Sequence, residues 1–255
     1  MIFLTIDVGN TSVFFCFFKG VKVVNYVRLN KSEINKEKIT KIIRGFQRDY
    51  NSLKIIISSV VPSISNLLKV ILKDFKFEFF FLSEIKKKIN LKTKIKNKDS
   101  IGDDRIVNMF YARELYKRSV IIVDFGTATT FDLLDNQGVY SGGVITPGID
   151  LSLKSLKDQT AKLPLVVFKK TKNILGTTTQ NAIQSGFFWG YISMVEGLIS
   201  RIKKEKKTNF KIVLTGGNAH YFSDYVKNIT LIDKFFTVKG LNSILTKKIH
   251  DDKRF

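Results

Sequence analysis

Apolar and polar positions alternate or cluster along this chain in runs that read as strands, with stretches of helical spacing between them. Residues 2–8 and 12–18 are two apolar runs separated by a short Gly-Asn-Thr turn, and they predict a hairpin. Residues 21–29 form a third strand after the Lys19-Gly20 turn. A polar segment from Ser32 leads into a helix whose apolar positions Ile39, Ile42, Ile43 and Phe46 share one face. Residues 55–58 are a short buried strand. Pro62 then suits the first turn of a helix carrying Ile64, Leu67, Leu68 and Ile71. Residues 77–82 are a further strand, and the βββαβαβ order predicts a mixed sheet with helices on its faces.

The second half begins with the stretch that organises the chain, a β-branched run at residues 120–123 that ends in Asp124-Phe125-Gly126-Thr127 and resumes as an apolar strand. Its layout matches the N-terminal hairpin. Asp7 overlies Asp124, Gly9 overlies Gly126, Ser12 overlies Thr129 and Phe14 overlies Phe131. In each copy a carboxylate at a strand end precedes a glycine turn rich in hydroxyls. Glycine lets backbone N–H groups approach an anion, threonine hydroxyls add donors, and the acid holds a cation against phosphates. Asp and Gly are also common in ordinary hairpin turns. Two copies in one chain suggest a duplicated domain, each half contributing a phosphate loop, with the boundary near Ser119.

Other turns carry candidate chemistry. Residues 86–98 are lysine-dense and weakly periodic, a solvated loop or a lip over an anion. Gly102-Asp103-Asp104-Arg105 opens a helix running to about Tyr116. The two acids serve as caps in the plain reading, and Arg105 can hold an anionic group bidentately. Residues 138–145 are a strand leading into a glycine-rich turn, Gly142 to Gly148, which starts the helix of Leu151, Leu153 and Leu156. Gly176-Thr177-Thr178-Thr179 opens the longest helix. Within it Gly186 and Gly190 suit close approach of another backbone, internal or from a second subunit. Residues 203–207 read as a solvated basic turn. Thr215-Gly216-Gly217 follows a buried strand and precedes a predicted helix, a junction whose backbone donors suit a nucleotide.

Composition narrows the function classes. The chain has 255 residues, 44% of them hydrophobic, enough for two ordinary domains. Lys+Arg 43 against Asp+Glu 22 gives a formal net charge of +21. No helix-turn-helix, zinc-finger or RNA-binding signature accompanies that charge, and Lys, Ile, Phe and Asn are all abundant, so compositional drift is the preferred account over nucleic-acid binding. One cysteine, Cys16, lies in an apolar run and reads as a core thiol, which excludes an internal disulfide and a cysteine zinc site. His220 and His250 lack ligand spacing and read as surface residues. No run approaches membrane-span length and Asp7 interrupts the N-terminal apolar stretch, so the expectation is a cytoplasmic protein with no membrane partner.

The two Asp-x-Gly loops with a late Thr-Gly-Gly turn make the chain resemble the actin/hexokinase-like phosphotransferases. The resemblance tightens on residues 7–11, residues 58–63, Gly102-x-Asp104-Arg105, residues 124–130, residues 142–149, Gln184-Ser185-Gly186 and Thr215-Gly216-Gly217. They occur in the order seen in type III pantothenate kinases. The resemblance implies an α/β fold of two ribonuclease H-like, actin-like domains, residues 1–118 and 119–255, each a mixed five-stranded sheet flanked by helices. It places the ATP cleft between them and lets the last helix pack back on the first domain. It implies phosphorylation of pantothenate by ATP, the first step of coenzyme A biosynthesis.

On the same resemblance, Asp7, Val8, Gly9, Asn10, Thr11, Ser12, Val13 and Phe14 wrap the ATP phosphates, with Asp7 toward Mg²⁺, directly or through water. Thr127 adds a hydroxyl, and Asp124 ligates K⁺ or ammonium. Gly102, Asp103, Asp104 and Arg105 hold pantothenate, with Asp104 as the base for its primary hydroxyl, and Thr179 completes that site at a homodimer interface. Three positions depart from the family pattern. Ile95 stands where a tyrosine usually touches pantothenate, Lys98 replaces a proline, and Asp103 replaces a small residue. Two other functions stay in view: a regulatory relative without catalysis, such as a transcriptional accessory factor, and a kinase of another small hydroxyl compound. No sequence-specific nucleic-acid partner is expected.

Overall fold

A computed structural model describes residues 2–47 and 53–252, with the side chains of residues 47 and 249–252 outside the description; the expectation for His250 falls among these. By internal contacts the chain divides into two units. The first comprises the chain up to Leu91, Asn97–Tyr111 and the chain from Phe236 on; the second comprises Lys92–Lys96 and Ala112–Phe235. A single cut near residue 119 therefore does not describe the division. The last helix lies in the first unit, and a short piece of the lysine-rich segment lies in the second.

The first unit holds β1 (Ile2–Val8), β2 (Ser12–Lys19), β3 (Lys22–Asn30), α1 (Lys36–Gln47), β4 (Leu53–Ser59), α2 (Pro62–Asp74), β5 (Glu78–Phe81) and the single turn α3 (Leu82–Ile85). Its sheet runs β3-β2-β1-β4-β5, antiparallel through the first three strands and parallel from β1 to β4 to β5. Side chains alternate across it. Ile2, Leu4, Ile6 and Val8 of β1, with Phe15 and Phe17 of β2, face a core closed by Ile39 and Ile43 of α1 and Ile64, Leu68 and Ile71 of α2. Burying each such side chain is worth roughly 1.5–3 kcal/mol, which makes this face the main source of the unit's stability. Pro62 occupies the first turn of α2, where its missing N–H costs nothing.

α4 (Asp103–Leu115) starts in the first unit, and the division passes through it after Tyr111. α7 (Phe236–Asp252) lies against β1 and β4. It is fixed by Asn242 Nδ2 donating to the Gly20 carbonyl at 2.8 Å and by Thr237 Oγ1 donating to Asn108 Oδ1 at 2.8 Å. The Tyr111 and Phe236 rings meet edge to face at 4.9 Å.

The second unit repeats the wiring: β6 (Val120–Phe125), β7 (Ala128–Leu134), β8 (Tyr140–Pro147), α5 (Ile149–Asp158), α6 (Thr179–Lys206), β9 (Lys211–Gly216) and β10 (Leu231–Ile232) form a sheet in the order β10-β9-β6-β7-β8. As in the first sheet, the opening hairpin is antiparallel to its third strand, and the fourth and fifth join in parallel. These are the two mixed five-stranded sheets expected of an actin-like α/β fold.

Several local expectations are corrected. Gly142 and Gly143 lie inside β8, opposite a register shift between Leu133 and Leu134, so the glycine-rich turn is mostly strand. The segment after Thr215-Gly216-Gly217 is a single 3-10 turn, Ala219–Phe222, too short to supply a helix dipole. The basic stretch at residues 203–206 continues α6, which stops at Lys207 in the left-handed region (φ 49°).

Candidate active site

Strand register decides which side chains share a face, and it corrects the overlay of the two hairpins. In the first, Asp7 lies opposite Phe14 and Ile6 opposite Phe15. In the second, Asp124 lies opposite Thr130 and Val123 opposite Phe131. The first turn holds Gly9, Asn10 and Thr11, whereas the second holds only Gly126 and Thr127, between Phe125 and Ala128. The closing bonds agree: Gly9 N–H donates to the Ser12 carbonyl at 3.0 Å, and Gly126 N–H donates to the Ala128 carbonyl at 3.2 Å. Phe131 is thus the counterpart of buried Phe15, and Thr127 corresponds to Thr11. One residue of loop length turns a strand over, so an ungapped alignment pairs residues on opposite faces.

In the first unit a single cross-strand row runs Arg28, Phe14, Asp7, Ser58. Residues directly opposite each other project to the same side, so these four share the face opposite the cluster of Leu4, Ile6 and Phe15. The Asp7 carboxyl is the most perturbed group there. Desolvation, then the negative charge of Asp104, raises its pKa from 3.8 to about 7; a hydrogen bond from Ser58 and the charge of Arg28 pull the other way, and Asp103 adds to the rise. The charge of Asp104 thus acts on Asp7. Asp104 stands in the first turn of α4, where its Oδ1 accepts from the Arg105 N–H at 2.8 Å. Asp103 points elsewhere: its Oδ1 accepts from Lys86 Nζ at 3.4 Å, and the residue is 9% exposed. The acid found in place of a small residue thus has its own local cation.

An ionised Asp7 costs the fold free energy, because its folded pKa lies above its unfolded one. The folded state holds the proton more tightly, so this group's contribution to stability is present below pH 4 and lost as pH rises through about 7. Asp7→Asn is expected to raise stability at pH 8 by about 2 kcal/mol, a discounted share of the full shift, and to leave it nearly unchanged at pH 4. Thermal unfolding of both proteins at the two pH values checks this; an equal Tm difference at both would show that Asp7 is not held protonated.

The second hairpin carries the analogous row Thr215, Asp124, Thr130. Gly216 follows Thr215 with φ +90°, and a Cβ built there would meet Asp124 Oδ1, Phe125 N and Phe125 O, each at 2.6 Å. The Asp124 carboxylate is therefore packed on the Thr-Gly-Gly backbone. Gly148, at the N-terminus of α5, donates its N–H to the Thr127 carbonyl at 3.0 Å. Its φ is ordinary at −75°, but a Cβ would sit 2.3 Å from the Thr127 oxygen and 2.4 Å from the Gly126 oxygen. Gly148→Ala should destabilise the protein by at least about 3 kcal/mol by prising this turn from the loop, measurable by urea denaturation.

Of the remaining sequence candidates, Val8 ends β1 and is buried with Val13 in the first core, so their side chains are turned away from any ligand at the hairpin. Ile95 is in the second unit, its N–H donating to Thr93 Oγ1 at 3.0 Å, in a segment that pairs with Tyr140. Lys98 begins a 3-10 turn just before Gly102. Thr179 is the exposed first residue of α6, after the cap Thr178, whose Oγ1 accepts from the Asn181 N–H at 3.2 Å. Gln184 and Ser185 are buried and bind backbone carbonyls at Val167, Asn173 and Ile174, which ties the irregular stretch before α6 to the helix. His220 is exposed, with Nδ1 3.1 Å from the Gly217 carbonyl oxygen, and Cys16 is fully buried. Arg28, Lys86 and Ser58's bond to Asp7 were not singled out from the sequence; strand register reveals Arg28 and Ser58, and the 3-10 turn after α3 brings Lys86 to Asp103.

A carboxylate-ended hairpin occurring twice, on two sheets of one wiring, is the arrangement expected of the resembled family. The family described as type III pantothenate kinase matches this chain over residues 3–201. The chain belongs to that family. The protein described as type III pantothenate kinase in Paramagnetospirillum magneticum is 37% identical over 250 residues, covering 94% of this chain and 95% of that relative. Its namesake in Halalkalibacterium halodurans is 36% identical over 252 residues, covering 96% and 99%. Among solved structures, the ethanolamine utilization protein EutJ from Carboxydothermus hydrogenoformans superposes with a TM-score of 0.54 at 12% identity, covering 95% of this chain and 89% of that one, a likeness of fold alone.

Kinase-family membership brings ATP and a divalent cation into consideration, and the site residues fit one. Among the described residues no cluster of three or more His, Cys, Asp or Glu side chains forms a ready-made metal cage. Mg²⁺ needs no such cage, since it is commonly held by one or two carboxylates, water and substrate phosphates. The Asp7 carboxyl, buried and under the repulsive charge of Asp104, suits that chemistry.

Proposed function

We propose that this protein transfers the terminal phosphoryl group of ATP to the primary hydroxyl of pantothenate, the entry reaction of coenzyme A biosynthesis. The observation that supports the reading is that Asp7, beside the Gly9-Asn10-Thr11 turn, and Asp104, in the first turn of α4, stand within electrostatic reach of one another in a chain of this family. Phosphoryl transfer needs positioning and charge neutralisation more than a covalent catalyst. In this assignment the 7–14 hairpin and Thr127 receive the phosphates, and Asp7 holds Mg²⁺, which supplies charge neutralisation when bound. Gly102, Asp104 and Arg105 receive pantothenate. Asp104 accepts the hydroxyl proton as the oxygen attacks the terminal phosphorus and ADP departs. Asp103, held by Lys86, shapes this turn without contacting substrate. Asp124 holds a monovalent cation, K⁺ or ammonium.

A homodimer is part of the proposal. Added Cβ atoms at Gly186 and Gly190 of α6 would meet nothing within 4 Å outside their own helix, so among the described residues no other segment packs there. They line an open groove of about 420 Å³ with Leu156, Ile183, Phe187, Tyr191 and Met194. Beside α6, Leu165, Val167, Ile174 and Leu175 are 66–83% exposed. Such an apolar surface suits a second copy, which would bring Thr179 to a shared site. No helix among the described residues is long and apolar enough to cross a membrane.

The test is ATP consumption by the purified protein with pantothenate and with a panel of other small alcohols, in K⁺ and in Na⁺ buffers. Phosphopantothenate formation at a kcat/KM well above that for every other acceptor is expected. Preference for a different alcohol would reassign the acceptor, and no ATP-dependent product would defeat the kinase reading.

A further inference from the structure

Arg28 lies outside every motif that marks the phosphate loop, yet β3 delivers it to that loop. It stands directly opposite Phe14, in the same row as Asp7 and Ser58. Its Nε donates to Ser12 Oγ at 3.1 Å, and its guanidinium carbon lies 5.7 Å from the centre of the Phe14 ring. Its positive charge acts on Asp7. The side chain is thus held at two points, by a hydroxyl and by an aromatic face, although the residue itself is exposed. β3 is an edge strand, where a charged residue ordinarily serves only to discourage pairing with another chain. A guard of that kind needs no fixed orientation. Here the guanidinium is oriented by Ser12 and Phe14 on the face that carries Asp7, and the Nε bond uses only one of its five donors. The donors on the two Nη atoms form the planar fork that suits phosphate oxygens.

We propose that Arg28 is a phosphate-positioning residue: the β3 guanidinium, oriented by Ser12 and Phe14, binds the polyphosphate of the nucleotide at the 7–14 hairpin. This rests on the nucleotide-binding reading of that hairpin. The carboxylates of Asp7 and Asp104 would otherwise repel the incoming phosphates, and Arg28 would offset that repulsion together with any Mg²⁺ that Asp7 would hold. Arg28 contributes affinity and alignment and takes no proton.

The test measures MgATP binding by calorimetry alongside steady-state kinetics for wild type, Arg28→Gln and Arg28→Lys. Arg28→Gln should raise the Kd and the KM for ATP about ten- to a hundredfold, the scale for one charge-assisted hydrogen-bonded contact. The KM for pantothenate should stay within about twofold, because the acceptor does not touch this residue. Arg28→Lys should fall between wild type and Arg28→Gln, since it keeps charge and loses the fork. Millimolar guanidinium should restore part of the ATP affinity of Arg28→Ala, whereas the same concentration of NaCl should not. A purely structural role for Arg28 predicts a lowered Tm with both KM values moved together, and that result overturns the proposal. Unchanged ATP affinity in Arg28→Gln overturns it too. Should wild type bind MgATP without phosphorylating pantothenate, the acceptor reading fails, while the binding data still decide the role of Arg28.

Discussion

Asp104→Asn is expected to lower kcat with pantothenate by at least about a hundredfold, the usual scale for loss of a positioned general base. The amide keeps the size of the side chain and keeps an oxygen to accept from the Arg105 N–H, the bond that fixes the Asp104 carboxylate in the first turn of α4. What it removes is the ability to take a proton from the acceptor hydroxyl. ATP affinity should be nearly unchanged or slightly improved, because the substitution also removes a negative charge that acts on Asp7. The relief at Asp7 gives a second readout: its pKa should fall from about 7, moving the loss of stability with rising pH to lower values. Single-turnover kinetics with ATP binding measured separately checks the first part. Near wild-type turnover in Asp104→Asn would remove this residue from its role, and a parallel loss of ATP affinity would place it on the nucleotide side.

The second large effect is expected at Asp124. Its carboxylate lies at the end of β6 beside Thr127, packed against the Gly216 backbone. A phosphate brought to this loop would be repelled by it, by about 4 kcal/mol for unit charges about 4 Å apart at an intermediate dielectric, unless a cation intervened. Mg²⁺ demands near-octahedral oxygens, whereas a larger monovalent ion tolerates an irregular set of carboxylate and carbonyl ligands. K⁺ or ammonium should therefore activate turnover through tighter ATP binding, and Na⁺ should do so poorly. Asp124→Ala should lose the activation and most of the activity. Asp124→Asn should keep some ATP binding, because it removes the repelling charge. Equal rates in K⁺ and Na⁺, with full activity in Asp124→Ala, would make this carboxylate an ordinary turn residue.

Much of this architecture was legible in local pattern. The period of two in β1 and β2, the helical spacing of Ile39, Ile43 and Phe46, and Pro62 at the head of α2 each follow from interactions within a few residues. Repetition of Asp-x-Gly before an apolar strand pointed to two similar halves, and the two sheets share one strand order. Other readings failed where a local rule met a tertiary one. Glycines at 142 and 143 mimic a turn, yet they pair with Leu133 and Asp132 of β7, and Gly142, at φ +129°, lies at the register shift where a strand bulges. The Thr-Gly-Gly junction looked like a helix start. The chain after it closes in a short 3-10 turn that buries Ala219 and Phe222 against the second core.

By itself the sequence determined the duplicated hairpin and the strand and helix periods, because each depends on residue type at short spacing, while the family resemblance supplied the two-domain fold and the candidate roles of Asp7, Asp104 and Asp124. The tertiary structure alone decided which side chains meet. Whether Phe14 corresponds to Phe131 depends on a single residue of turn length, which reverses the face of a strand and leaves no trace in an ungapped pattern. Whether Asp103 is a site residue depends on Lys86, seventeen positions away, reaching it from the 3-10 turn after α3. That Arg28 stands beside the 7–14 hairpin depends on antiparallel pairing of β3 with β2, a non-local contact. Local propensity reads the chain one segment at a time. Charges and rows of side chains are assembled by segments far apart, and only the folded chain brings them within reach of one another.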